Sequence, residues 1–270
     1  MSLFDLRTVQ LLFACLISLL FGFLIGFLAL RKTAYHMEMK RMLKLQDQFV
    51  ALGSHYLLTP ISTIQAAVSR LQESESMGLE SRRRMYEVIL QGESRLWIIA
   101  QQLILMNQFS TDRFQLEIAA INISDLVLEA IQALDPLARK AKVTLSFEDT
   151  TLGNSQVRAD RRRLKQAFIA VIDNAIKFSP EESEVKIALG TTHQQCQLVI
   201  ADAGTGMPSE VLDHVSEKFY RGTNLYQFDY EGMGLGMHIA KRIISLHQGI
   251  IRIESAPKSG TRVSIEFPKL

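Results

Sequence analysis

The chain has 270 residues, 47% of them apolar and 21% charged, a balance that excludes wholesale disorder, a collagen-like repeat and a polytopic membrane protein. Its 30 Lys and Arg offset 28 Asp and Glu to leave a net charge of +2, so electrostatics give no reason to expect nucleic acid as a partner. The two cysteines, Cys15 and Cys196, are far apart and form no CxxC pair, which supports neither a disulfide framework nor a zinc site.

The first element in chain order is an uncharged run from Thr8 to Leu30, rich in Leu and Phe. At about 1.5 Å per residue, a helix of this length crosses the roughly 30 Å of bilayer hydrocarbon. A cleaved signal peptide would have a shorter apolar core and small residues at a cleavage site. Here the run ends in Arg31-Lys32. Arg7 alone precedes it, whereas Arg31, Lys32, Lys40, Arg41 and Lys44 follow, so the positive-inside tendency places everything after Leu30 in the cytoplasm. The expected arrangement is a short extracytoplasmic tail (1–7) and one transmembrane helix (8–30) in the inner membrane. A tail of that length is too short for an extracellular sensor domain.

Met42, Leu45, Phe49 and Leu52 alternate spacings of three and four, and the pattern continues past Pro60 through Ile61, Ile64, Ala67, Val68 and Leu71. This is the period of a bundle helix. Glu73 to Ser76 with Gly78 reads as a turn, and a second helix is expected from Ser81 to about Met106. A helical hairpin over 31–112 results, which buries its apolar stripe by pairing with a second copy into a four-helix bundle or by packing on the same chain's next domain.

From 113 onward the pattern changes. Helices are expected at Ile123 to Lys140, Asp160 to Phe178 and Met237 to His247. Strands are expected at Val143 to Glu148, Val185 to Leu189, Gln197 to Ala201, Ile250 to Ser255 and Arg262 to Phe267. Mixed in this order, they predict an α+β sandwich over 113–270, one sheet covered by helices.

Five short stretches carry chemistry. His55, in Ser54-His55-Tyr56-Leu57-Leu58-Thr59-Pro60, presents a ring nitrogen that is nucleophilic near neutral pH, and Pro60 removes a helical hydrogen bond just beyond it. Asn174, in Asp173 to Phe178, offers a neutral oxygen suited to Mg²⁺, with the Lys177 ammonium one turn on. Asp202, in Asp202-Ala203-Gly204-Thr205-Gly206, stands at the end of an apolar strand, where a carboxylate accepts a hydrogen bond from an exocyclic amine. The glycines after it let the backbone turn or hinge. Glu217 to Gly222 is an aromatic-basic patch. Gly232-Met233-Gly234-Leu235-Gly236 runs into a helix, exposing successive N–H groups to an anion. It lacks the strand-turn-helix setting of a dinucleotide fingerprint. Met207 to Glu231 has the length of a lid.

In this order the stretches resemble the membrane-anchored sensor histidine kinases of two-component signalling. His55 with Thr59-Pro60 looks like the phospho-acceptor box. Asp173–Lys177, Asp202–Gly206, Phe219–Arg221 and Gly232–Gly236 look like the N, G1, F and G2 boxes, and Ser259-Gly260-Thr261 like the closing motif. The resemblance runs from about Leu45 to Phe267. It implies a dimerising hairpin followed by the ATP-binding sandwich (Bergerat fold) shared with gyrase-type and chaperone ATPases. It implies that His55 takes the γ-phosphoryl group of ATP and passes it to an aspartate on a response regulator, and that Thr59 helps water attack that phospho-aspartate. Asn174 then holds Mg²⁺, Lys177 lies near the phosphates and Asp202 reads the adenine amine. Gly204 and Gly206 shape the pocket and lid hinge, Thr261 backs the base, and Phe219 and Arg221 belong to the same ATP site. Gly232, Gly234 and Gly236 close over the phosphates.

Two departures from the family stand out. The acidic residue that usually follows the histidine is Tyr56, a poor base at pH 7 with a reference pKa of about 10, and the usual Arg is Leu58. The polar residue usual one turn before Asn174 is Ala170, which counts against a gyrase-like or chaperone-like ATPase. The readings left are an autophosphorylating kinase, a degenerate ATP-binding scaffold or regulator phosphatase, and a tethered ATPase without phosphohistidine. His36, His193, His214, His238 and His247 show no metal-ligand spacing and receive no role, and the methionines read as core filling.

Overall fold

The computed structural model describes residues 23, 31–32, 56–73, 77–109, 114–192, 194–220 and 233–269. The expected membrane span therefore lies outside the described residues except for Phe23, which is helical. Among the described residues no helix is long and apolar enough to cross a membrane. His55, Arg221 and Gly232 also lie outside them.

The hairpin consists of α1 (residues 56–73) and α2 (Leu79–Phe109). Helix α1 runs through Pro60, which is buried, as is Ala67. The two helices approach closely at Gly92, where an added Cβ would stand 2.6 Å from Ile64 Cγ1 and 3.5 Å from the Pro60 carbonyl oxygen. On α2 the residues drawn inward are Met85, Val88, Ile89, Gly92, Leu96 and Ile99, the three-and-four spacing of one helical face. Leu105 and Met106 continue into the core of the following domain, so the end of α2 packs on its own chain. Arg163 fastens this junction: its Nη2 donates to Gln108 Oε1 at 2.9 Å, and its guanidinium lies 5.2 Å from the Phe114 ring centroid.

The C-terminal domain runs β1 (Ala119–Asn122), α3 (Ile123–Lys140), β2 (Thr144–Asp149), β3 (Gln156–Ala159), α4 (Arg161–Phe178), β4 (Glu184–Thr191), β5 (Gln195–Ala201), α5 (Ser209–Leu212), α6 (Gly236–Leu246), β6 (Ile250–Ser255) and β7 (Thr261–Pro268). The main sheet has the order β2-β4-β5-β7-β6, with β2 and β4 parallel and the other neighbours antiparallel. Alternate residues of the strands, Val185, Ile187 and Leu189, Cys196, Leu198 and Ile200, Val263, Ile265 and Phe267, are buried. Facing them on α4 are Leu164, Phe168, Val171, Ile172 and Ile176, on α3 Leu126, Val127 and Ala130, and on α6 Ile239, Ala240, Ile243 and Ile244. Period two on the strands and period 3.6 on the helices thus converge on one core, and the expected sandwich stands.

Sequence reasoning missed the two-stranded antiparallel sheet β1-β3 and the single turn of α5. Helix α4 starts one residue later than expected because Asp160 is its N-cap: Oδ1 accepts from Arg163 N at 3.0 Å and Oδ2 from Glu117 N at 3.1 Å. His247, given no role from sequence, is 5% exposed and staples α6 to that cap. Its Nε2 accepts from Asp160 N at 2.9 Å and its Nδ1 donates to the Ile243 carbonyl at 2.8 Å. Replacing it with Ala removes the side-chain acceptor of the Asp160 N–H, while the Ile243 carbonyl keeps the backbone N–H of residue 247, so His247→Ala is expected to lower unfolding free energy by about 1–3 kcal/mol in urea titration.

Candidate nucleotide site

The site is assembled at the meeting of three segments: the C-terminal half of α4, the loop after β5, and the β6–β7 turn. Strand β5 delivers Asp202, whose N–H donates to the Thr261 carbonyl at 2.9 Å, continuing the β5–β7 ladder by one rung. Asp202 Oδ1 accepts two backbone N–H bonds, from Gly204 at 2.9 Å and from Thr261 at 3.0 Å. Burial raises the pKa of this carboxyl, and those two bonds pull it back down. With Oδ1 doubly occupied, Oδ2 remains as an acceptor in a fixed position.

Close backbone approach explains the glycines here. A Cβ at Gly204 would lie 2.4 Å from the Phe178 carbonyl oxygen at the end of α4. At Gly206 (φ +64°) it would lie 1.9 Å from the Ala256 carbonyl oxygen, and at Gly260 (φ +74°) 2.0 Å from that of Asp202. Gly206→Ala therefore combines a left-handed backbone with a collision against main chain. It is expected to destabilise the domain by about 2–4 kcal/mol, seen as a lowered melting temperature, and to abolish ATP binding.

On α4, Asn174 is half-buried and Ala170, one turn earlier, is partly buried against the core. Lys177 is paired with Asp173 on the same helix. A Cβ on Gly236 would lie 3.9 Å from the Ala170 Cβ, so the start of α6 abuts the α4 segment that carries Asn174. Met233, Leu235 and Met237 are buried in the core, anchoring this loop while Gly234 (φ +68°) makes its turn.

The part of the expected lid that precedes residue 221 is tied to α6. The Ser216 carbonyl is 3.0 Å from His238 Nδ1, and Ser216 Oγ accepts from Lys241 Nζ at 3.0 Å. Burial lowers the His238 pKa. Phe219 packs against the core with φ +61°. The structure thus gathers Asp202, Gly204, Gly206 and Thr261 at one point, with Asn174 on the helix that abuts it and Gly234 and Gly236 beside that helix. Thr59 is exposed on α1. Ser255 was not singled out from sequence. Its hydroxyl donates to the Gly260 carbonyl at 2.7 Å, accepts from Met207 N at 2.9 Å and lies 3.1 Å from Thr261 Oγ1. Among the described residues no group of three or more His, Cys, Asp or Glu is arranged to hold a metal ion.

This arrangement matches a known domain class. Residues 159–270 match the family model described as histidine kinase-, DNA gyrase B-, and HSP90-like ATPase. Over a longer stretch, the chain is similar to proteins named as histidine kinases. It is 29% identical over 234 residues to the sensor histidine kinase YkoH of Bacillus subtilis strain 168, covering 85% of this chain and 50% of that protein. It is 27% identical over 222 residues to the signal transduction histidine-protein kinase ArlS of Staphylococcus aureus, covering 82% of this chain and 49% of ArlS. The chain thus spans about half the length of these curated relatives. Among solved structures, the fold is that of the histidine kinase ThkA in complex with response regulator protein TrrA, with a TM-score of 0.63, 24% identity and coverage of 86% of this chain and 64% of the other.

Proposed function

We propose that the chain is a membrane-anchored sensor histidine kinase that phosphorylates itself on His55 and passes the phosphoryl group to an aspartate of a response regulator. The observation that carries this is the doubly braced Asp202 carboxylate, which has the chemistry to accept from an adenine amine. It sits in a stretch that matches the histidine kinase-type ATPase family model, downstream of His55 in sequence. A ring nitrogen of His55 attacks the γ-phosphorus of ATP, the bond to the bridging oxygen breaks, ADP leaves, and the ring gives up its proton to solvent or a nearby base. The similarity to named kinases favours this reading over a degenerate scaffold.

Mg²⁺ fits the donor set. This hard cation takes one or two protein oxygens and fills its remaining positions with phosphate and water, and the half-buried Asn174 supplies one carboxamide oxygen while Ala170 supplies none. When bound, the ion would neutralise phosphate charge as the terminal group moves. Lys177 reaches phosphate on release from Asp173, and Phe219, Arg221 and the glycines at 232, 234 and 236 contribute to binding the same nucleotide. Thr59, one turn beyond His55, orients water for dephosphorylation of the regulator.

Helix α2 supports a homodimer. Leu79, Tyr86, Leu90, Trp97 and Ile104 are all exposed, and at about 100° per residue they fall within roughly 20° of one line along the helix. That line is opposite the face packed on α1. An apolar stripe on each side of one helix suits a four-helix bundle made by two copies. Anchoring rests on the uncharged run 8–30 and the basic residues after it, with the catalytic part cytoplasmic.

The partner assignment is tested by chasing label. The full chain, phosphorylated in detergent and freed of ATP, is mixed with receiver domains from the same genome. Transfer of label from His55 to a hydroxylamine-labile acyl phosphate on one receiver is expected, and label that leaves for none of them contradicts the regulator step.

A further inference from the structure

The Ser255 hydroxyl has one hydrogen and two acceptor lone pairs, and its three neighbours fix how they are used. The Gly260 carbonyl, at 2.7 Å, can only accept, so it takes the Ser255 hydrogen. The Met207 N–H, at 2.9 Å, can only donate, so it occupies one lone pair. What faces Thr261 Oγ1, 3.1 Å away, is therefore the second lone pair, and the Thr261 hydroxyl must point its own hydrogen at Ser255. Thr261 is the residue whose backbone N–H braces Asp202 Oδ1 at 3.0 Å.

We propose that Ser255 is a positioning residue that sets the hydrogen-bond polarity of the base pocket and thereby its preference for adenine over guanine. This rests on the nucleotide reading above. With its hydrogen committed to Ser255, Thr261 Oγ1 offers only lone pairs to the base or to a water beside it, and the Asp202 carboxylate likewise offers only acceptors. At its 6-position adenine presents an amine with two hydrogens, which these acceptors match. Guanine presents a carbonyl oxygen at the equivalent place, meets acceptors and pays the cost of unpaired polar atoms. The same hydroxyl joins Met207, at the start of the lid segment, to the β6–β7 turn, so one atom couples base selection to the loop that follows Gly206.

The test measures dissociation constants of non-hydrolysable ATP and GTP analogues and of inorganic triphosphate for the full chain in detergent. Ser255→Ala, Ser255→Thr and Thr261→Val are compared with the parent. The parent is expected to prefer the adenine nucleotide. In Ser255→Ala a freely rotating Thr261 hydroxyl donates as well as accepts, so the adenine-to-guanine preference falls by about tenfold. Triphosphate binding stays unchanged, Ser255→Thr restores the preference, and Thr261→Val reproduces the loss without Ser255 being touched. A folded Ser255→Ala protein with the parent's preference overturns the inference, as does a Thr261→Val protein that keeps it if Ser255→Ala does not fold. A parent that binds no adenine nucleotide overturns the nucleotide reading and this inference together.

Discussion

Asp202→Asn is expected to fold as the parent does and to bind ATP about 10–100-fold more weakly, the range lost with one charge-assisted hydrogen bond. The asparagine oxygen can still accept the Gly204 and Thr261 N–H bonds that Oδ1 accepts now, so the loop keeps its shape. What changes is the second position, where an NH₂ group confronts the base amine donor to donor. Burial raises the Asp202 pKa, so the native carboxyl favours folding most while protonated, below its ordinary pKa. It loses that advantage as pH climbs through the raised value. The neutral amide carries no such penalty, so Asp202→Asn is expected to match or exceed the parent's melting temperature at pH 7, with the gap closing toward pH 4. Binding titration and thermal melts at both pH values check the two halves separately. A variant that binds ATP like the parent contradicts the assigned role.

Tyr56→Glu is expected to raise the rate of His55 phosphorylation by about 10²-fold, the lower end of what a positioned general base contributes. Tyr56 is half-buried and packed against the hydrophobic core, so its ring serves packing. Tyr56→Phe is expected to leave the parental rate unchanged. Single-turnover labelling of the three proteins decides the matter. A glutamate variant no faster than the parent, together with a dead phenylalanine variant, would make the phenol itself part of the mechanism. Glutamate also forfeits the packing of the ring, so its melting temperature is expected to fall even as its rate rises.

The long elements were legible because their periodicities run for several turns or rungs. Ile123–Lys140 is found where the apolar spacing put it, and α4 differs by the one residue that became its cap. Strands β4 and β5 extend beyond the expected runs because the ladder reaches out to the Thr191–Cys196 pair. Strands β1 and β3 have four residues each and pair across more than thirty intervening ones, too short for any period to register. The position of Asp202 was legible because it stands in a fixed local setting, at a strand end before glycines. Ser255 and His247 escaped notice because their partners are backbone groups brought from Met207 and Asp160, 48 and 87 residues away. Nothing local to a serine or a lone histidine announces such a contact. The structure also gives the glycines at 204, 206 and 260 a second duty, close approach between main-chain segments, which spacing alone does not show.

The central claim is tested most directly by incubating the full chain in detergent with γ-labelled ATP and Mg²⁺, alongside His55→Gln and Asn174→Ala. The account predicts acid-labile, alkali-stable label on the parent and none on either variant. ATP binding without label, on the parent and on Tyr56→Glu alike, would contradict it and leave a nucleotide-binding scaffold or regulator phosphatase in place of the kinase.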